Sequence, residues 1–121
     1  MIEKGVIMKL EFTTEQLDRI LGEASTAATI SATEMFKKLG GDRFMCGFAW
    51  VDIYGIRANS KLGKQLENFG IKKDSWKKCH SIWDPAGLNV QNIDIKEAGA
   101  EAFAKVLQSY GFRAYAGSRL D

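Results

Sequence analysis

The stretch Asp94-Ile95-Lys96-Glu97-Ala98-Gly99-Ala100-Glu101-Ala102-Phe103-Ala104-Lys105-Val106-Leu107-Gln108-Ser109-Tyr110-Gly111-Phe112-Arg113-Ala114-Tyr115-Ala116 decides the fold class, because a helix, its stop and a strand are all spelled out in it. Asp94 and Glu97 read as a capping box, a short carboxylate accepting from the backbone three residues on while Glu97 reaches back. Ile95, Ala98, Ala102, Phe103, Val106, Leu107 and Tyr110 recur at helical spacing. Gly111 supplies the left-handed position after the helix, and Phe112 can fold back onto Leu107. From Phe112 to Ala116 the pattern alternates as in a strand. Trp83, Arg113, Tyr115 and Arg119 have no structural job in this reading and are the first candidates for function.

Working towards the N-terminus, Cys79 to Trp83 reads as a strand broken by the turn Asp84-Pro85-Ala86-Gly87. Ser60 or Asn59 caps a short helix carrying Leu62, Leu66 and Phe69 on one side, ended by Gly70. Phe44 to Ile53 is apolar on both parities, as expected of a central strand. Its Met45, Gly47, Ala49, Val51, Ile53 parity is suited to receiving a helix, and its other parity is Phe48, Trp50, Asp52 and Tyr54. Thr13 and Gln16 form a capping box for a helix of about 26 residues, roughly 39 Å long, closed by Lys37-Lys38 and Gly40-Gly41. Val6, Met8, Leu10 and Phe12 alternate like a strand ahead of it.

The expected fold is therefore α+β: a four-stranded mixed sheet with three helices in β-α-β-α-β-α-β order, the helices mainly on one face and the first helix long. Gly99 is expected to let the last helix approach that sheet closely. The run Ala24-Ser25-Thr26-Ala27-Ala28-Thr29-Ile30-Ser31-Ala32-Thr33 is almost all small residues. It suits either homo-oligomerisation through the first helix or tight packing of that helix on its own sheet.

With 121 residues, 45% of them hydrophobic, and one proline, residues 1–121 fit one folded domain. No apolar run approaches the roughly 20 residues of a membrane span, and the first residues lack the apolar core of a secretory signal. A cytoplasmic setting with Cys46 and Cys79 reduced is expected, Cys46 as a small buried hydrophobe. Residues 1–7 can lie upstream of the natural start: Glu3-Lys4-Gly5-Val6 can be encoded by a bacterial ribosome-binding sequence placed just ahead of Met8.

The net charge of +2 hides an asymmetry. Between Arg57 and His80, seven basic residues (Arg57, Lys61, Lys64, Lys72, Lys73, Lys77, Lys78) face only Glu67 and Asp74, so this segment carries +5 and the remainder −3. Such a distribution suits either an anionic partner or a solvated lysine-rich connection.

Enzyme signatures fail. His80 is the single histidine, so a multi-histidine metal site is excluded, and Cys46 and Cys79 lack zinc-pair spacing. No glycine-rich phosphate loop precedes a helix. Neighbouring strand residues point to opposite faces, so Cys79 cannot use His80 as its base; His80 is expected to be a partly exposed strand residue. No cofactor is implied. A binding face is the better candidate. Trp50, Asp52 and Tyr54 share one side of their strand, and Arg113 and Tyr115 share one side of the last. If helices cover the opposite face, these residues, with Trp83 and Arg119 added and Arg57 and the lysines bordering, form an aromatic and arginine platform. Rings stack bases, arginine pairs with phosphate, and Asp52 can accept from an N–H or a ribose hydroxyl. The competing expectation makes the same tryptophans core and the arginines ordinary surface.

Cys46-Gly47-Phe48-Ala49-Trp50-Val51, Lys61-Leu62-Gly63-Lys64, Trp83-Asp84-Pro85, Lys96-Glu97-Ala98-Gly99-Ala100 and Ala116-Gly117-Ser118-Arg119-Leu120-Asp121 together resemble a group of short bacteriophage and prophage proteins of unassigned function. The resemblance runs from Phe44 to Asp121 and implies a viral accessory protein acting in a host bacterial cytoplasm; it brings no catalytic residues. The expected function is non-enzymatic binding of an anionic ligand, a nucleotide signal or short nucleic acid, in counter-defence. An inhibitor that binds a host protein is the alternative, and a small nucleotide hydrolase the third.

Overall fold

The computed structural model describes residues 10–121. Its elements are α1 (Thr14–Leu39), β1 (Gly47–Tyr54), α2 (Lys61–Asn68), β2 (Lys72–Asp74), β3 (Cys79–Trp83), α3 (Ile93–Ser109) and β4 (Arg113–Leu120). The fold is α+β, with three helices and a four-stranded sheet in the order β2-β3-β1-β4. Every pairing in the sheet is antiparallel, so it is not mixed. From β1 onward the chain runs β-α-β-β-α-β, the split βαβ arrangement, with α1 added in front. The strand expected from Val6 falls mostly outside the described residues, and Leu10 to Phe12 are irregular. The fourth strand is β2 instead.

Helix α1 has the 26 residues expected. Thr13 Oγ1 accepts from the Gln16 N–H at 3.1 Å, and Gln16 Oε1 accepts from the Thr13 N–H at 2.8 Å, which closes the capping box. At the other end Gly40 takes the left-handed conformation, its φ 76°. Helix α3 begins earlier than its sequence suggests. Its cap is Asn92, whose side chain accepts from the Ile95 N–H at 3.0 Å, and Asp94 lies inside the first turn. Asn92 wins because the chain before it is anchored: Asp42 accepts from the Gln91 and Asn92 N–H groups, and Ile93 N donates to Met45 O. The stop is as expected, with Phe112 N donating back to Leu107 O at 3.1 Å.

One core joins Leu17, Ile20, Leu21, Ala24 and Ala28 of α1, Val51 and Ile53 of β1, Leu62 and Leu66 of α2, Phe103 and Leu107 of α3, and Ala114 of β4. The helices therefore cover the face of the sheet that carries Ala49, Val51 and Ile53. The small residues of α1 meet α3 rather than the sheet. A Cβ added at Gly99 would lie 2.7 Å from Ala86 Cβ, 3.4 Å from Ala28 O and 3.6 Å from Ala32 Cβ. Gly99 thus makes room chiefly for Ala86 of the β3–α3 loop, with α1 at ordinary contact distance, where the sequence suggests approach to the sheet. Ala24, Ala28 and Ala32 are fully buried within the chain.

Candidate functional site

The face of the sheet away from the helices carries the even-numbered residues of β1. Antiparallel register extends it across three strands: Trp50 lies opposite Trp83, Asp52 opposite Ser81, and on the other side Phe48 faces Arg119, Trp50 faces Gly117, Asp52 faces Tyr115 and Tyr54 faces Arg113. Directly paired residues share a face. Trp50, Asp52, Tyr54, Trp83, Arg113, Tyr115 and Arg119 therefore stand on one side of one sheet. Arg57 does not join them; it is exposed in the loop between β1 and α2.

The rings form two groups. Trp50 and Trp83 have centroids 5.0 Å apart, and Phe48 meets Trp83 edge-on at 6.3 Å. Tyr54 and Tyr115 are 6.1 Å apart. Such pairs sit within the range where aromatic contacts stabilise. Trp83 and Tyr115 remain about half exposed. Cations border the first group: the Arg119 guanidinium lies 5.4 Å from the Phe48 ring centre, Lys96 Nζ also 5.4 Å from it, and Lys77 Nζ 5.1 Å from the Trp50 ring. Gly117 makes room for Trp50. A Cβ there would come within 2.5 Å of the indole Nε1, so only glycine lets the indole lie across β4.

From sequence, Asp52 is expected to accept from a ligand; the structure gives each of its oxygens a partner within the chain. Oδ1 accepts from Lys77 Nζ at 2.8 Å and Ser81 Oγ at 2.6 Å, and Oδ2 accepts from Trp50 Nε1 at 3.1 Å. Burial alone would raise this carboxyl, but the Lys77, Ser81 and Trp50 hydrogen bonds and the Lys77 charge outweigh it and hold Asp52 below its ordinary value. For Lys77, burial pulls the other way and the Asp52 contact again wins, raising it. Asp52 is thus the clamp that fixes Trp50 and draws Lys77 over its ring. Desolvation and the same carboxylate raise the Tyr54 hydroxyl.

Two further expectations change, for His80 and for Cys46, and one exposed ring lies outside them. His80 is 1% exposed on the helix side, with Nδ1 unpartnered, and burial beside Lys73 lowers its pKa. It is not a surface strand residue. Cys79 is the buried cysteine, its thiol pushed up by burial, while Cys46 is exposed. Trp76, which periodicity does not single out, is 93% exposed at the β2–β3 turn. Asp74 Oδ1 holds that turn by accepting from the Trp76 and Lys77 N–H groups at 2.8 and 3.1 Å. A tryptophan set among Lys73, Asp74, Lys77 and Lys78 with no apolar partner at strand or helix spacing was the available signal.

Among the described residues no group of three His, Cys, Asp or Glu side chains is placed to hold a metal, and no helix is long and apolar enough to cross a membrane. Concavities of about 360 and 250 Å³ open on the helix side, the larger between Glu34, Lys38, Glu101 and Lys105, and no platform residue lines either. Comparison with family models, curated proteins and solved structures finds nothing that matches the chain.

Proposed function

We propose that this is a non-enzymatic binding protein whose helix-free sheet face takes an anionic, aromatic ligand, a nucleotide signal or a short nucleic acid. The observation that carries the reading is the shared face: Trp50, Trp83, Tyr54 and Tyr115 present rings between Arg113 at one end and Arg119 at the other. Rings on the central strands of a four-stranded antiparallel sheet, helices behind, is also how RNA-recognition sheets stack bases, an analogy of architecture only. Lys72 stands on the same face, opposite Ser81, and the carboxylates nearest the platform, Asp52 and Asp74, are occupied by the chain's own donors. The face therefore has cations to offer beside two carboxylates already held by the chain's own donors. The resemblance to short phage and prophage proteins supplies the setting, an accessory protein in a bacterial cytoplasm that blunts a host defence by sequestering such a ligand.

An inhibitor that binds a host protein is the second reading. It is favoured by Phe44 and Met45, 73% and 58% exposed, next to the half-exposed Leu120 at the start of β1. Phe44 holds φ at 69°, a conformation bulky residues rarely adopt. The deciding experiment incubates the protein with a panel of nucleotides and oligonucleotides, isolates and denatures it, and analyses what is released. Intact ligand supports the first reading, chemically altered ligand a nucleotide hydrolase, and no retained ligand the protein inhibitor.

A further inference from the structure

Resting on that reading, we infer that the open face takes an extended single strand of nucleic acid several nucleotides long, held without strict sequence preference, and not one enclosed nucleotide. The first ground is the spacing of the rings. Along β1 the face offers Phe48, then Trp50 with Trp83, then Tyr115 level with Asp52, then Tyr54. Each level lies two residues beyond the last, about 7 Å at the ordinary strand rise. That is about twice the rise of bases stacked on one another. A strand matched to it lays its bases on protein rings instead of on each other, as single-strand platforms do.

The second ground is where the charge sits. Arg119 and Arg113 pair with Phe48 and Tyr54, six residues apart on β1, so about 20 Å separates them. One nucleotide cannot bring phosphate to both; a strand crossing the face brings one to each. The third is shape. The two concavities described above lie on the helix side, away from these rings, and the half-exposed Trp83 and Tyr115 stand on an open sheet face. The fourth concerns base reading. The Trp50 indole N–H and both Asp52 oxygens are already engaged within the chain. What remains on offer is ring faces, cations and the Tyr54 and Tyr115 hydroxyls, and the ring faces and cations serve every base and every phosphate alike.

The test is a length series. Labelled dT and rU oligomers of one, two, three, four, six and eight nucleotides, with dA and dC octamers and a DNA duplex, are titrated by fluorescence anisotropy at 50 and 200 mM salt. Affinity is expected to rise at least tenfold from one nucleotide to four and then level off. The octamers should agree within about tenfold of one another, and the duplex should bind more weakly than any of them. Tyr115→Ala and Arg113→Ala, both at exposed positions, should weaken the octamer roughly five- to hundredfold and roughly ten- to hundredfold. Arg113→Ala should also lower the salt slope by about one. Both variants are first shown to melt as the parent does. The dT and rU arms tell DNA from RNA strands, and tight binding of either supports the inference. A mononucleotide that binds as tightly as the octamer overturns it while leaving a nucleotide-binding face in place. A duplex bound as tightly as the single strand, or one octamer strongly preferred, also overturns it. No binding of any nucleotide or oligomer removes both this inference and the reading beneath it.

Discussion

The two faces of β1 use the same eight residues in opposite ways. Facing the helices are Gly47, Ala49, Val51 and Ile53, all buried, small or aliphatic, and free of polar side-chain atoms. Facing away are Phe48, Trp50, Asp52 and Tyr54, larger and partly exposed apart from Asp52, which ties Trp50, Lys77 and Ser81 together by side-chain hydrogen bonds. The helix side is stabilised by non-directional burial. The open side is kept in place by directed contacts among groups that stay near water. A fold needs only the first kind of face; rings and cations held in fixed positions at the surface are what a binding face needs.

That contrast fails or sharpens under substitution. The largest effect is expected behind the sheet. Phe103→Ala, at a position 1% exposed, should cost about 3–5 kcal/mol in denaturant unfolding. Oligonucleotide affinity should be unchanged wherever the protein is still folded. Loss of affinity in the folded variant would show that the two sides are not independent.

On the open side, Asp52→Asn should cost roughly 1.5–3 kcal/mol, because it weakens hydrogen bonds to a charged group and leaves Lys77 without its counterion. Tryptophan emission should shift as the indole exchanges a charged acceptor for a neutral amide. The pH dependence has a definite sign. Asp52 is lowered from 3.8 on folding, so its contribution is present above that value and is lost as pH falls through the lower folded one. Lys77 is raised from 10.5, so its contribution is present below that value and is lost as pH rises through the higher folded one. The gap between parent and variant should therefore be flat between about pH 5 and 9 and close on either side, in acid as Asp52 is protonated and in strong base as Lys77 loses its charge. A gap that closes near neutrality would transfer the effect to another group.

Gly117→Ala should destabilise by about 1–3 kcal/mol, since the added methyl meets the Trp50 indole. It should also change the Trp50–Trp83 contact in near-ultraviolet circular dichroism; an unchanged spectrum would mean that the indole does not rest on β4. The smallest effects belong to the outermost residues. Arg113→Ala and Trp76→Ala should each alter stability by no more than about 0.5 kcal/mol. A loss of more than about 2 kcal/mol in Arg113→Ala would make that arginine part of the frame and not of the proposed binding face.

Much of this was legible in the chain and some was not, for physical reasons. The parity of β1, the Thr13–Gln16 cap, the full length of α1 and the Gly111 stop are local patterns, and local patterns are written in consecutive residues. Strand β2 is Lys72-Lys73-Asp74, three residues with no apolar member, and exists because β3 offers it an edge. The role of Asp52 depends on Lys77 and Ser81, 25 and 29 residues further on, brought to it by strand pairing. From sequence, the small-residue run in α1 leaves self-association and internal packing open. The structure uses its buried side inside the chain against Gly99, so Ala28→Leu would strike the protein's own core, and a test of self-association has to alter exposed positions such as Ile30 instead.

The pairing of α1 with α3 also bears on how the protein is made. Helix α1 leaves the ribosome well before the helix it packs against, α3, which ends at Ser109. At roughly 5–20 residues per second, the nascent chain carries α1 without its partner for several seconds. A stripe of leucines would be a sticky object for that time. Ala24, Ala28 and Ala32 present little apolar area to neighbouring chains while they wait, so the close-packed seam between the helices also keeps the half-made protein unattractive to its neighbours.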